Sequence, residues 1–368
     1  MYGNKVHIKR NRLTAFLLAF FCLLLCGCVM ERPGYGSTTG PAGSAELPGG
    51  SSFAVHFIDV GQGDASLILC DGEAMLIDGG NTDKSSTVYT YLKKQGIDRL
   101  DYLVCTHPDA DHVGGLSGAL EYAAAETVWC PVESYSSKAF ESFRTRVEKQ
   151  GRKLVKPAVG TAVSLGSATV TVLAPIGDYK DSNNQSIVLR VVYGQTSFLF
   201  TGDAELESER DMCDRYGEQG LKSTVLKVGH HGSDTSTSIR FLGDIMPRYA
   251  VISCGKDNKY GHPTEQTLSR LSQAGATGYR TDLQGDILGE STGETVTFRT
   301  ARNSDATVAP STEHSSAPTE YAYVGNLNTK KFHKPTCASV PGEKNAIWFT
   351  SRKEALEDGY IPCGKCKP

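Results

Sequence analysis

The run Thr106-His107-Pro108-Asp109-Ala110-Asp111-His112-Val113-Gly114-Gly115 places four potential ligands within six residues. Imidazole and carboxylate are the side chains that hold divalent metals, and two carboxylates this close repel in a low dielectric unless a cation compensates them. The run therefore reads as a loop folded around positive charge. Further along stand acids and imidazoles bracketed by glycine: Thr201-Gly202-Asp203, Gly229-His230-His231-Gly232 and Tyr260-Gly261-His262-Pro263. Asp59, Asp64 and Asp78 sit beside short apolar runs, placed either to orient ligands from behind or to cap turns. A second set lies near the end, where His333 and Cys337 are followed after 25 residues by Cys363-Gly364-Lys365-Cys366. Those four N/S groups suit a tetrahedral structural zinc, and a piece of about fifty residues needs such a staple to fold.

Positioning these groups requires elements that stop where they begin. Short apolar or alternating runs at 53–60, 66–70, 74–77, 102–105, 169–173, 187–192, 197–200, 225–228 and 250–253 read as strands, and the first three each stop at a Gly or Asp cluster. Amphipathic stretches at 87–95, 116–125, 137–150 and 265–274 read as helices. Strand groups separated by helices predict an α/β layered domain with its polar clusters beyond the strand ends.

The 368 residues allow about two domains. Residues 52–300 carry 24 basic against 32 acidic side chains, while residues 320–368 carry 8 against 5. The large segment is thus no general polyanion binder, and contact with nucleic acid there needs bound metal to reverse the local sign. Residues 1–28 join a basic start to an apolar run, Leu13 to Cys26, too short to span a bilayer as a helix. The ending Leu25-Cys26-Gly27-Cys28 resembles a bacterial lipobox, which implies lipidation of Cys28, export, and anchoring at the outer face of the bacterial cell membrane. Residues 29–51 and 301–319, rich in Gly, Ser, Thr and Pro, read as linkers. Cys70, Cys105, Cys130, Cys213 and Cys254 are scattered singly, so they read as buried small hydrophobes rather than a disulfide framework.

Over residues 52–300 the chain resembles the metallo-β-lactamase superfamily, whose signature is His-x-His-x-Asp-His. Here His107, Asp111 and His112 match, and Asp109 stands where the second His would be. That variant looks like the subgroup typified by the extracellular domain of ComEC-type DNA-uptake proteins. The likeness extends through Phe57–Asp64, Leu76–Gly80, Asn183–Ser186, Thr201–Asp203, Gly229–Ser233 and Tyr260–Pro263. It implies an αββα sandwich with two divalent ions: His107 and Asp109 on one, Asp111 and His112 on the other, and Asp203 bridging. His230 is the expected closing ligand, with His231 and His262 as ligand or phosphate-facing donor. Where many members carry another His, this chain has Asn183, Asn184 and Ser186. Asn184 and Ser186 are expected to contact a substrate phosphate, as is His231. The oxygen-richer ligand set moves the expected metal from Zn toward Mn. Residues 320–368 resemble the metal-binding domain of the Ada family, with His333 in place of a first Cys.

The expectation is a monomeric, surface-anchored phosphodiesterase, foremost a DNase connected with DNA-uptake machinery, in which Asp111, Asp203 and His231 carry catalysis. Two rivals stand beside it: a hydrolase of the same fold acting on a nucleotide or cell-wall phosphodiester, and a non-catalytic DNA-binding lipoprotein.

Overall fold

Phe53, Val55 and Phe57 alternate with Ala54 and His56, so one face of their strand is wholly apolar. In the strands Ser66–Cys70 and Glu73–Ile77 both faces are apolar: Ile68, Cys70, Met75 and Ile77 point one way, Leu67, Ala74 and Leu76 the other. Strands buried on both sides need a layer on each side. A computed structural model shows those layers, describing residues 50, 52–306, 308, 323–341, 346–349 and 351–368. These fall within one compact unit, Ser44–Pro368. Cys28 and most of both expected linkers lie outside the described residues.

One sheet has eight strands, in the order Val296–Thr300, Ile287–Ser291, Phe53–Phe57, Ser66–Cys70, Glu73–Ile77, Arg99–Val104, Ala124–Trp129, Leu154–Val155. The second has seven: Thr277–Arg280, Tyr249–Ile252, Val225–Lys227, Thr196–Phe200, Val188–Tyr193, Ala168–Ala174, Ala162–Leu165. The sheets face each other across a core that includes Phe57, Ile77, Trp129, Val170, Phe198 and Val251. Helices Ser85–Gln95, Leu116–Tyr122 and Lys138–Lys149 cover the outer face of the first sheet, through Val88, Leu92, Leu116, Phe140 and Phe143. Helices Leu206–Leu221, Ile239–Ile245 and Glu265–Gln273 cover that of the second, through Met212, Phe241 and Leu268. The architecture is the expected αββα sandwich.

In each sheet an antiparallel part gives way to a parallel part: from Glu73–Ile77 through Leu154–Val155 in the first, and from Thr196–Phe200 through Thr277–Arg280 in the second. Parallel strands end on the same edge, where open α/β sheets carry their ligands. Asp78, Cys105 to His107, Asp203, His230 and Ser253 all follow the C-terminal ends of these strands.

Two boundaries differ from expectation. The helix expected over 116–125 stops at Tyr122, because Ala124–Trp129 joins the first sheet as a parallel strand beside Arg99–Val104. Residues 301–306, expected as linker, stay on the sandwich: Ala301 N–H donates to the Asp286 carbonyl, and Asn303 Nδ2 to that of Leu283. Among the described residues, no helix is long and apolar enough to cross a membrane.

Residues from Tyr323 on build a small four-stranded sheet, ordered Ala346–Phe349, Tyr323–Asn326, Lys331–His333, Ile361–Pro362. Among the described residues its core gathers Phe332, Ile347, Phe349, Ala355 and Tyr360, and Ile239 of the sandwich packs against it.

Candidate metal centre

The loop after strand Arg99–Val104 lies against the loop after Glu73–Ile77 more closely than side chains permit. A Cβ on Gly115 would sit 1.8 Å from the Gly79 carbonyl oxygen, so glycine is required there. Backbone bonds fix the approach: Gly79 N–H donates to the His112 carbonyl at 2.8 Å, and Asp64 N–H to that of Asp111 at 3.2 Å. From the second sheet comes the turn Gly229–Gly232, in which His230 and His231 are both left-handed, at φ of 48° and 55°. Asp78 is left-handed as well, at φ 58°. Non-glycine residues held this way cost about 1–3 kcal/mol each and cluster at functional sites.

The result is four imidazoles around one carboxylate. To the nearer Asp203 oxygen, Nε2 of His112 lies at 3.2 Å, of His231 at 3.5 Å, of His230 at 3.7 Å and of His107 at 3.8 Å. Each ring is held from behind through Nδ1. His112 Nδ1 donates to Asp78 Oδ2 at 2.8 Å. His231 Nδ1 faces the Ser253 carbonyl at 3.0 Å and Asp64 Oδ1 at 3.1 Å. His230 Nδ1 faces Glu205 Oε1 at 3.1 Å. His107 Nδ1 faces Thr106 Oγ1 at 3.2 Å, a hydroxyl that gives its own proton to Asp78 Oδ2 and so accepts from the ring. With Nδ1 engaged in every ring, all four Nε2 atoms are left toward Asp203, the arrangement by which ligand imidazoles are oriented.

Two further carboxylates complete the group. Asp111 Oδ2 is 3.4 Å from His231 Nε2, and Asp109 Oδ2 is 3.8 Å from His107 Nε2. Asp109 is itself steadied by the hydroxyls of Tyr135 and Ser182, each at 3.0 Å. Ligand atoms of Asp64, His112, Asp203 and His231 all lie within 4.8 Å of one another. His107 Nε2 is buried without a hydrogen-bond partner, its nearest acids being Asp109 and Asp203 at 3.8 Å. A buried imidazole nitrogen facing two carboxylates and left without a partner is what a cation would satisfy, so this donor set fits one.

The electrostatics agree. Burial opposes charge on His112, yet Asp203 and Asp78 outweigh it and hold its pKa well above the imidazole range. His231 is likewise raised to about 10 against burial, by Asp203 and Asp64. Burial would raise Asp203, but His112 and His231 keep it well below the carboxylate range. His107 is lowered, by burial and by the neighbouring His112. The acids thus draw protons onto His112 and His231, and a divalent ion would replace those protons.

The structure therefore brings His107, Asp109, Asp111, His112, Asp203, His230 and His231 together. His262 stands one ring farther out, 5.5 Å from the His230 ring centroid, beside the ligand atoms rather than among them. Asp64 and Asp78 stand behind His231 and His112. Asp59 does not: its carboxylate accepts from Gly61 N–H and pairs with Arg302, so it caps a turn and ties down the chain after the last strand. The expectation for Asn184 and Ser186 is also corrected. Asn184 is buried with Oδ1 accepting from Glu205 and Ser208 N–H, capping the helix that follows Asp203. Ser186, also buried, accepts from Asp203 N–H at 3.1 Å and faces His107 Nδ1 at 3.4 Å. Neither has its polar group free for a substrate.

Sequence reasoning missed Lys227 and Glu205. Lys227 is buried, its ammonium 2.7 Å from Asp64 Oδ2, and this fixes the acid behind His231. A lysine inside the apolar strand Val225–Lys227, two residues before Gly229-His230-His231, is the signal that could have found it.

In the terminal module, ligand atoms of His333, Cys337, Cys363 and Cys366 lie within 4.8 Å of one another. Backbone N–H groups of Lys334 and Ser339 approach the Cys366 and Cys337 sulfurs at 3.4 and 3.5 Å. The N–H groups of Cys366 and Lys365 lower the Cys363 pKa, favouring the thiolate that metal binding needs. The scattered cysteines Cys70, Cys105, Cys130, Cys213 and Cys254 are free and buried.

Residues 58–256 match the family model of the metallo-beta-lactamase superfamily, and residues 311–368 that of the metal binding domain of Ada. The chain is 31% identical over 252 residues to ComE operon protein 3 of Bacillus subtilis, covering 63% of this chain and 32% of that protein. It is 32% identical over 272 residues to Competence protein ComA of Neisseria gonorrhoeae, covering 72% and 34%. It thus spans about a third of the length of the curated relatives it matches. The metallo-beta-lactamase fold protein YhfI of Bacillus subtilis aligns with a TM-score of 0.46 at 12% identity, over 65% of this chain and 100% of that one. The chain belongs to the metallo-β-lactamase superfamily of metal-dependent hydrolases and carries, in residues 311–368, an Ada-type metal-binding domain.

Proposed function

We propose that the chain is a metal-dependent phosphodiesterase whose substrate is DNA, held at the outer face of the membrane through a lipid on Cys28. The observation that carries the catalytic reading is the convergence of four Nε2 atoms on Asp203. His107, Asp109, Asp111, His112, Asp203, His230 and His231 would hold two divalent ions. When bound, the pair would supply a nucleophile at neutral pH and neutralise charge on the phosphoryl oxygens. The chain's own residues do the rest. Asp78 and Asp64, through Nδ1 of His112 and His231, keep those rings aimed and in one tautomer. Asp111, partly exposed beside the buried His231, can hold on its other carboxylate oxygen a proton leaving the attacking group. His262, lowered in pKa by burial and by His230 and His231, is neutral and stands where a phosphate oxygen would approach. The names of the competence relatives support DNA as the substrate.

The test incubates the chain without residues 1–28 with linear DNA and Mn or Zn, beside Asp111→Ala. DNA cut by the parent and left whole by the variant supports the proposal. Retardation of DNA without cutting, unchanged in Asp111→Ala and lost in Cys363→Ser, would show a binder instead. Cleavage of a small chromogenic phosphodiester with DNA left whole would move the substrate elsewhere. Incorporation of an alkyne fatty acid, abolished by Cys28→Ala, tests the anchor.

A further inference from the structure

We infer that Tyr260 is a nucleobase-stacking platform at the rim of the metal centre, so that the substrate strand is gripped by an unstacked base as well as by its phosphate. This rests on the DNA reading above. Tyr260 is 55% exposed, the most exposed ring among the described residues, and it belongs to the same turn as His262. Its ring lies nearly parallel to that of His262, at 5.7 Å and 24°, and His262 in turn meets the His230 ring edge-on at 5.5 Å. Two ring spacings therefore separate the exposed aromatic from the imidazole facing Asp203. Stacked nucleotides rise about 3.4 Å each, so a strand with a phosphate at the centre passes Tyr260 within about three nucleotides.

The turn presents the ring rather than burying it. Asn258 Oδ1 accepts from the N–H groups of both Tyr260 and His262, at 3.1 and 3.0 Å, and its Nδ2 donates to the Gly255 carbonyl at 2.9 Å. Gly261, at φ 71°, makes the reversal that lets residues 260 and 262 stack. A backbone pinned on both sides of Tyr260 lowers the entropy lost when a ligand settles on its ring. The exposed Lys259 ammonium lies 5.0 Å from the ring centroid, and Lys256 and Lys259 outnumber Asp257 in this turn. A π-face within reach of mobile cations, beside a site for phosphate, matches the combination by which single strands are bound: base on ring, ammonium on backbone. Lys259, released from the ring by an incoming base, is in place to pair with the adjoining phosphate.

The experiment measures binding of a fluorescein-labelled single-stranded phosphorothioate oligonucleotide to the metal-loaded chain lacking residues 1–28, beside Tyr260→Ala and Tyr260→Phe. It is repeated with an oligonucleotide of abasic sites. Stacking on an aromatic is worth roughly 5- to 150-fold in affinity. Tyr260→Ala should lose affinity by that factor and Tyr260→Phe should stay within about twofold of the parent. The abasic strand should bind the parent as weakly as the ordinary strand binds Tyr260→Ala. Metal content by mass spectrometry and the thermal melt should be unchanged in Tyr260→Ala, showing the centre intact. Equal binding of ordinary and abasic strands by the parent, or an unaffected Tyr260→Ala, overturns the platform while leaving the nuclease reading standing. A parent that neither binds nor cuts DNA overturns both.

Discussion

Replacing Lys227 by Met should destabilise the protein through an acid that the substitution does not touch. The Lys227 side chain is 2% exposed and that of Asp64 6%, and at 2.7 Å no water separates them. Breaking a buried pair by removing one member costs about 3–5 kcal/mol, because the other charge stays desolvated. The structure says where in that range the loss falls. Asp64 keeps one neighbour, His231 Nδ1 at 3.1 Å. In metal-free protein the His231 ring is protonated, its pKa raised to about 10 against burial by Asp203 and Asp64, so Asp64 retains a cation and the loss is near 3 kcal/mol. With metal bound the ring is neutral, Asp64 has no full positive partner, and the loss moves toward about 5 kcal/mol. Guanidinium denaturation of Lys227→Met with chelator and with Mn measures both. Asp64→Asn combined with Lys227→Met should recover more than about 1 kcal/mol of the loss, since it removes the stranded charge. A loss below about 1 kcal/mol in both conditions, or strict additivity in the double variant, refutes the reasoning.

Three other outcomes follow from the same geometry. Asn184→Ala removes the acceptor for Glu205 and Ser208 N–H and should cost about 1–2 kcal/mol of stability with the KM for a small phosphodiester unchanged; a raised KM at constant Tm would return Asn184 to the substrate. His231 rises from 6.5 to about 10 on folding, so its stabilisation of metal-free protein is complete below pH 6.5 and lost as pH climbs to 10. Thermal melts with chelator should fall across that window and melts with metal should stay flatter; parallel curves would count against this assignment. Cys363→Ser should open the terminal tetrad, and a module this small buries too little to hold itself together without it. Limited proteolysis should then release fragments from residues 323–368 while the sandwich keeps its Tm, and an uncut module would show that zinc is not its staple.

The metal loop was readable because its residues are crowded in sequence. His107, Asp109, Asp111 and His112 have nowhere to go but one loop, and Asp203 and His230-His231 announce themselves beside glycines that permit left-handed or tight backbone. What spacing cannot show is which oxygen turns inward. Asp59, Asp64 and Asp78 look alike beside their apolar runs, yet one pairs with Arg302, one with Lys227 and one with His112, and each partner comes from a distant segment. Asn184 and Ser186 escape spacing for the same reason: their partners are the backbone N–H groups of Glu205 and Ser208 for the one and of Asp203 for the other, which only the finished fold delivers. The strand Ala124–Trp129 was hidden by helix-favouring alanines, whose local preference yields to pairing with Arg99–Val104.

The centre draws its parts from both sheets. His107 to His112, with Asp64 and Asp78 behind, come from the first, and Asp203, His230 and His231, with Lys227 behind, come from the second. Neither half of the chain can assemble a high-affinity pocket on its own, so tight capture of an ion reports that the two leaves of the molecule have closed on each other. A nascent chain emerging from its N-terminal end holds the full ligand set only after the strand Val225–Lys227 and the histidine turn have been made.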